Sequence, residues 1–325
     1  MAYSAEVLSR AKARLAQDAN KKHAEYEKHL AQAYQLRPRL REIDRALRGT
    51  GAKLAAVIFQ KETNPAAEVE RLRAENLALQ NERQWLLDEA ELPEDFLDDS
   101  PVCTLCGGTG YRGSQMCECL RELCRQEQKR ELAPLFRTGK ESFEHFSLNV
   151  YPDVYIPALR NSARALMRKN LSFCIKYAQS FTPAAENLLF SGSTGLGKTF
   201  LSACIARRVV DSGFSVTYSS ANNLFSDYEA VRFSRREPEL LAKYQDCDLL
   251  ILDDLGTELV SPLVISSLYT VINKRLLSQR ATIISTNLTP DKLESRYEGQ
   301  AASRLLGLYR VLTFEGTDIR RMALG

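Results

Sequence analysis

The chain has 325 residues, 44% hydrophobic and 26% charged, which suits about two packed domains and excludes a disulfide-stapled miniprotein. It contains no apolar run of the roughly 18 residues a membrane helix needs, and Met1 to Glu6 carry no basic or apolar export region, so a cytoplasmic protein with no membrane contact is expected. Lysine and arginine number 44 against 41 acidic residues, a net charge of +3 that gives no molecule-wide field for nucleic acid and leaves any such contact local.

Residues 1–100 are rich in Ala, Leu, Glu, Lys, Arg and Gln and hold only two glycines, Gly49 and Gly51, the composition of a helical arm. A first helix is expected from about Ser4 toward Arg37, with a break at Pro38 and a helical stripe continuing through Leu40, Ile43 and Leu47. Gly49-Thr50-Gly51 reads as a turn. Asn64-Pro65 reads as an N-cap followed by a first-turn proline, with Glu68 and Glu70 in the first turn of the next helix. Val69, Leu72, Asn76, Leu79, Arg83 and Leu86 then repeat at steps of three and four. That stripe fits a hairpin packing on itself, and it also fits a surface for a partner's helices. Pro93 and the acidic residues Glu94, Asp95, Asp98 and Asp99 close the arm.

Residues 101–135 form a cysteine module. Five of the eight cysteines fall between Cys103 and Cys124, whereas Cys174, Cys204 and Cys247 are scattered. Cys103-x-x-Cys106 and Cys117-x-Cys119 offer four thiolates in two short pairs, the donor set tetrahedral Zn²⁺ requires, and Gly107, Gly108 and Gly110 permit the tight turn around it. Cys124 is an alternative to Cys119 as fourth ligand, and His145 is a more distant one. A redox pair and unligated thiols are the competing readings. A closed four-ligand site would fold the module rather than catalyse. A helix through about Arg130 follows, then residues 136–186, a linker and the start of the next region.

From residue 187 to 325 the texture becomes short apolar runs alternating with helical patterns: Leu188-Leu189-Phe190, Ser215 to Tyr218, Leu249 to Leu252, Thr282 to Ser285, and Arg310 to Phe314. Their spacing of about 30 residues accommodates a crossover helix between parallel strands, so an α/β fold with a five-stranded parallel sheet is expected. After the first run comes Gly192-Ser193-Thr194-Gly195-Leu196-Gly197-Lys198-Thr199, a complete phosphate-binding P-loop pattern followed by Phe200. Its backbone amides would cradle the phosphates of ATP, Lys198 would reach the β- and γ-phosphates, and Thr199 would hold Mg²⁺. The third run ends in Asp253-Asp254, a Walker B pattern in which Asp253 holds Mg²⁺ and Asp254 polarises the attacking water; Glu258 is a second candidate for that base. The fourth ends in Ser285-Thr286-Asn287, and Asn287 is a candidate to orient the water. Cys204, among apolar neighbours, reads as core.

The P-loop, Asp253-Asp254-Leu255-Gly256, the polar Asn287, Ser303-Arg304 and Gly316-Thr317-Asp318-Ile319-Arg320-Arg321 together resemble the AAA+ ATPases. Within them the chain is similar to the bacterial helicase-loader family of DnaC and DnaI, with the transposition helper IstB as a relative, and Phe143-Glu144-His145-Phe146 fits the same likeness. The cysteine module with Leu92-Pro93-Glu94-Asp95-Phe96 and Thr109-Gly110-Tyr111 resembles the amino-terminal domain of DnaI-type loaders, and Cys103 to Gly110 alone resembles one unit of the DnaJ zinc finger. The resemblance implies an arginine finger at Arg304 acting in trans on a self-associated neighbour, and a γ-phosphate sensor at Arg320 or Arg321. It implies that the amino-terminal region holds a DnaB-type replicative helicase and that the ATPase delivers it to single-stranded DNA. Few residues follow Asn287, enough for a helix and the last strand, so a lidless AAA+ domain with weak turnover alone is expected. Arg232, Phe233, Arg235 and Arg236 are the local basic and aromatic residues for single strands. Two rival functions stay open, an IstB-like transposition helper and a zinc adaptor that uses ATP as a structural ligand.

Overall fold

The computed structural model describes residues 3–59, 65–93, 95–135, 141–233, 238–297 and 299–319. The chain divides into two compact units, residues 14–117 and residues 1–13 with 118–325.

The first unit is built on three helices, α1 (Ala5–Leu36) from Arg14 onward, α2 (Pro38–Phe59) and α3 (Pro65–Glu89). Pro38 opens α2 as expected of a residue without an amide proton, while Arg37 N–H still closes on Ala33 O at 2.9 Å. Ala33, Leu40, Ile43 and Leu86 are buried together, and Leu47 and Leu79 pack against them. The three-and-four stripe of α3 meets α2: Asn76 Oδ1 accepts from Thr50 Oγ1 at 2.8 Å, and Arg83 pairs with Asp44 at 2.8 Å. The hairpin therefore packs on itself. Asn64, the expected cap, lies outside the described residues.

The turn expected at Gly49-Thr50-Gly51 is absent, and α2 runs straight through it. Neither glycine has a positive φ, a Cβ on either would meet nothing within 4 Å, and Ala46 O lies 3.4 Å from Thr50 Oγ1 as an alternative acceptor. Helix-forming neighbours and the α3 seam outweigh two weak positions. Beyond α3, the acidic stretch is fastened back on α1: Lys22 Nζ donates to Asp98 Oδ2 at 2.9 Å and holds that carboxyl down at about 2, and Phe96 stacks on His29 at 4.3 Å. A two-stranded hairpin of β1 (Tyr111–Arg112) and β2 (Gln115–Met116) turns at Gly113.

The second unit opens on the residues before Arg14, where Tyr3 hydroxyl donates to Gly213 O at 3.2 Å and Arg10 pairs with Glu131 at 2.7 Å. It continues with α4 (Glu118–Leu132), a short hairpin of β3 (Tyr155–Ile156) and β4 (Asn161–Ser162), and α5 (Ala163–Gln179). The core then alternates: β5 (Leu188–Ser191), α6 (Lys198–Asp211), β6 (Val216–Ser220), α7 (Ala221–Phe233), α8 (Ala242–Asp246), β7 (Leu249–Leu255) and α9 (Pro262–Leu277). It ends with β8 (Ala281–Thr286), α10 (Pro290–Arg296), α11 (Gln300–Leu308) and β9 (Arg310–Thr313).

The five long strands form one parallel sheet in the order β6-β7-β8-β5-β9. Successive side chains point to opposite faces. Leu188, Phe190, Ile251 and Ile283 join Met167, Leu201 and Ile205 of α5 and α6 in one core. Leu189, Leu250, Leu252 and Ile284 join Leu224, Leu268 and Leu305 of α7, α9 and α11 in the other. Burial on both faces is why these strands read as unbroken apolar runs, each such side chain contributing roughly 1.5–3 kcal/mol. All five strands run the same way, so the carboxyl ends of β5, β7 and β8 share one edge, the edge where an open α/β sheet binds its ligand.

Gly49→Ala and Gly51→Ala are each expected to stabilise the helical unit, by roughly 0.5–1 kcal/mol, because helical φ/ψ and open space await the methyl group. Chemical denaturation followed by circular dichroism checks this; a loss of stability would restore the turn.

Candidate nucleotide-binding site

The P-loop joins the end of β5 at Ser191 to the start of α6 at Lys198. Ser193 and Thr194 are exposed at its crest, while Leu196 anchors it in the core. Gly195 has φ +75°, and a Cβ there would lie 1.8 Å from Asp318 Oδ1. The residues after β9 thus seat against the loop, and Ile319 N–H donates to Gly195 O at 3.1 Å. From the other side Tyr151, whose hydroxyl burial pushes up, donates to Leu196 O at 2.9 Å. Phe146 packs between the Tyr151 and Phe200 rings at 5.9 and 5.7 Å. Lys198 is 6% exposed and its Nζ donates to Gly192 O at 2.6 Å and Ser193 O at 2.7 Å.

Asp253, 7% exposed, is the junction of the site. Its Oδ2 accepts from Tyr218 hydroxyl on β6 at 2.9 Å, and its Oδ1 accepts from Ser285 Oγ on β8 and from Thr199 Oγ1 on α6 at 3.3 Å. The strand does not stop at the acid pair, since β7 extends to Leu255 with a register shift against β8 between Leu252 and Leu255. Asp254 sits in that irregular stretch, exposed, with φ +56°. Its N–H donates to Ser285 Oγ at 3.0 Å and its carbonyl accepts from Thr257 Oγ1 at 3.0 Å. Aspartate tolerates the left-handed region better than glutamate, a physical reason for the shorter acid here. Asn287 is exposed directly after β8, between the ends of β5 and β7.

Glu258 is not a free base. Its carboxylate is 6% exposed and accepts from Gly256 N–H at 2.9 Å and from Tyr297 hydroxyl. Arg304 lies on α11, where its Nε donates to Asn273 Oδ1 at 3.1 Å, its NH1 donates to Gln300 O at 3.3 Å, and its guanidinium stands 4.6 Å over the Tyr269 ring. These partners belong to α9 and α11, not to the P-loop. Arg320, Arg321, Arg235 and Arg236 fall outside the described residues. Arg232 and Phe233 are exposed at the end of α7, the guanidinium 5.6 Å from its neighbour's ring.

The sulfurs of Cys103, Cys106, Cys117 and Cys119 lie within 4.8 Å of one another, and Cys103 and Cys117 Sγ are 3.9 Å apart. Tetrahedral Zn–S bonds of about 2.3 Å require sulfur separations near 3.8 Å, so these residues fit zinc. Gly110 N–H donates to Cys106 Sγ at 3.3 Å, the kind of outer contact that steadies a thiolate. Cys124 stands outside the group, buried, its thiol pushed up to about 11 chiefly by burial. His145 bonds Ser142 instead, at 2.7 Å. Cys174 and Cys204 are buried, with thiols that burial raises.

Sequence reasoning missed Tyr218, Ser285, Tyr151 and Asp318. Of these Ser285 had a signal, as the first polar residue at the end of an apolar strand, and Asp318 lay in the Gly316 to Arg321 stretch without a role of its own. Gly195→Ala is expected to lower stability by roughly 1–3 kcal/mol, through both the left-handed φ and the Asp318 carboxylate, and Asp318→Ala is expected to relieve part of that loss. Thermal melts of the single and double variants check it; an equal loss with and without Asp318 would place the whole effect on the backbone.

Residues 166–309 match the family model described as IstB-like ATP binding protein. Among curated proteins, the replicative helicase loader DnaC of Buchnera aphidicola subsp. Acyrthosiphon pisum is 28% identical over 163 residues, 49% of this chain and 66% of that protein. The chromosomal replication initiator protein DnaA of Helicobacter pylori strain P12 is 25% identical over 138 residues, 40% of this chain and 30% of that protein. The match thus spans just under two thirds of the loader's length and under a third of the initiator's. A crystal structure of DnaI aligns with a TM-score of 0.46 and 21% identity, covering 58% of this chain and 93% of that one. No described helix is long and apolar enough to cross a membrane. Residues 166–309 are thus similar to IstB-like ATP binding proteins, and the chain is similar over about half its length to the DnaC helicase loaders.

Proposed function

We propose that the chain is an AAA+ ATPase that loads a replicative DNA helicase onto single-stranded DNA. The observation that carries the ATPase half is the Asp253 junction, which gathers Thr199, Tyr218 and Ser285 from three elements at the sheet edge that ends in the P-loop. In this reading Gly192 to Thr199 and Phe200 bind the nucleotide, and Lys198 exchanges the Gly192 and Ser193 carbonyls for phosphate oxygens. Thr199 and Asp253 fit Mg²⁺, which when bound neutralises charge on the phosphates. Asp254 accepts the proton of the attacking water, which Asn287 orients from the adjacent strand end. Arg304, once released from Asn273, serves a neighbouring copy's nucleotide, so turnover is weak in the isolated chain and rises on assembly. Arg320 or Arg321 reads the γ-phosphate.

The loader half follows the named relatives. The helical unit offers exposed apolar residues to a partner, Leu77 and Trp85 on α3 among them. The family match also favours a second reading, a transposition helper that meets duplex DNA and a transposase. Affinity capture with the full-length chain separates them: helicase retained with ATP supports the loader, and transposase with duplex DNA supports the helper.

Lys198→Ala is expected to abolish nucleotide binding, whereas Asp254→Asn is expected to keep binding and lower kcat by about 10²–10⁴-fold. Fluorescent-nucleotide titration and phosphate release measure the two. Unchanged partner loading in both variants would move the chain to a zinc adaptor that holds ATP structurally.

Zinc is proposed on Cys103, Cys106, Cys117 and Cys119. Cys119→Ser is expected to release it and unfold the module, while Cys124→Ser keeps it. Zinc content of the purified variants decides; release by Cys124→Ser alone would reverse the assignment.

A further inference from the structure

We propose that Glu258 is a positioning residue for hydrolysis, holding the turn that aims Asp254 and tying it to α10. The proposal rests on the reading of Asp254 as the base. The turn is clamped at four backbone groups. Ser285 Oγ takes the Asp254 N–H at 3.0 Å, Thr257 Oγ1 reaches the Asp254 carbonyl at 3.0 Å, and Thr286 Oγ1 donates to the Leu255 carbonyl at 2.7 Å. The fourth is the Gly256 N–H, which donates to Glu258 Oε2 at 2.9 Å.

Glu258 differs from the other three clamps in being a carboxylate, in a place where an ion is costly. It is 6% exposed, and such a charge persists only with donors around it. Partners come from α10 and its end: Tyr297 hydroxyl donates to Oε1, the Arg296 guanidinium forms an ion pair with the same oxygen at 3.7 Å without a hydrogen bond, and Arg296 NH2 donates to the Glu258 carbonyl. Tyr297 is fully buried, so its hydroxyl has little freedom to leave. On the opposite side, a Cβ on Gly256 would come within 2.7 Å of Leu288 Cδ1, so the turn is also held sterically against the segment linking β8 to α10.

Asp254 needs such support because its side chain is short. A shorter acid reaches a γ-phosphate water only if its Cα is correctly placed, and its φ of +56° is a conformation the chain keeps only where surrounding bonds enforce it. Misplacing a base by about 1 Å costs on the order of 10²-fold in rate. Three clamps are supplied by β8 and the turn itself, whereas Glu258 brings in α10, and α10 packs on α11, the helix that carries Arg304.

The test uses the full-length chain. Glu258→Ala removes the acceptor for Gly256 N–H and is expected to lower kcat by about 10²-fold, with the Kd for a fluorescent ATP analogue and the KM within about twofold of the parent. Glu258→Gln keeps one acceptor oxygen for Gly256 and is expected to recover most of the turnover. Tyr297→Phe, which removes only the hydroxyl, is expected to lower kcat several-fold, and the Glu258→Ala/Tyr297→Phe double variant to be no worse than Glu258→Ala alone. Unchanged kcat, or a rise in Kd matching the loss of kcat, overturns the proposal, as does an additive double variant. If Glu258→Ala does not fold, Glu258→Gln and Tyr297→Phe decide on the same criteria. Asp254→Asn runs in parallel: full turnover there overturns the base assignment and this inference with it, whereas lost turnover there beside an unaffected Glu258→Ala overturns this inference alone.

Discussion

A carboxylate taken out of water must find donors for its oxygens, and Asp253 finds them on three separate elements. That requirement constrains much of the sheet. Tyr218 can reach Oδ2 because β6 borders β7 on one side, and Ser285 can reach Oδ1 because β8 borders it on the other. Thr199 arrives from α6, which begins where the P-loop that follows β5, the other neighbour of β8, ends. A one-residue slip of β7 would turn Asp253 toward the opposite face and put Leu252 or Asp254 in its place. The register shift between Leu252 and Leu255 lets the strand change course after the junction is made, so that Asp254 stays exposed while Asp253 is buried.

Burial on both faces of the sheet is what made the fold readable in the sequence. Strands covered on both faces are apolar throughout, and Leu188 to Phe190 and Leu249 to Leu252 stand out for that reason. The P-loop was equally legible, since its function depends on backbone amides and glycines at fixed spacing. Tyr218 was not, because a tyrosine on a strand is ordinary and its meaning comes from a neighbouring strand whose order no local pattern encodes. The place of Asp318 against Gly195 was unreadable for the same reason, although the stretch that holds it stood out, because that contact spans most of the domain. Gly49-Thr50-Gly51 misled in the other direction. Local turn chemistry pointed one way, and the seam with α3, through Thr50 and Asn76, held the helix together. Among the cysteines, spacing picked out the module and left Cys124 as an alternative to Cys119 for the fourth sulfur of the group. Burial separates them: Cys119 stays beside the other three sulfurs, and Cys124 turns into the apolar side of α4.

Strain and support meet again around Asp254. The left-handed φ suits aspartate over glutamate, and the clamps on residues 254 to 256 compensate for what remains. Glu258, the second candidate for the base, is enclosed, its carboxylate accepting from Gly256 N–H and the Tyr297 hydroxyl with Arg296 alongside. Two carboxylates four residues apart therefore differ sharply in environment, one exposed at the sheet edge and one enclosed behind it.

Lys198 extends the argument to the ligand. A buried ammonium is stable only with acceptors around it, and here it draws on the carbonyls of its own loop, Gly192 and Ser193. Nucleotide binding would add phosphate oxygens to the acceptors around Lys198, and each tenfold excess of ligand over its Kd adds about 1.4 kcal/mol to the stability of this unit. Because Asp318 and Tyr151 rest on the same loop, from the segment after β9 and from the segment before α5, the stabilisation reaches both ends of the domain through contacts already in place.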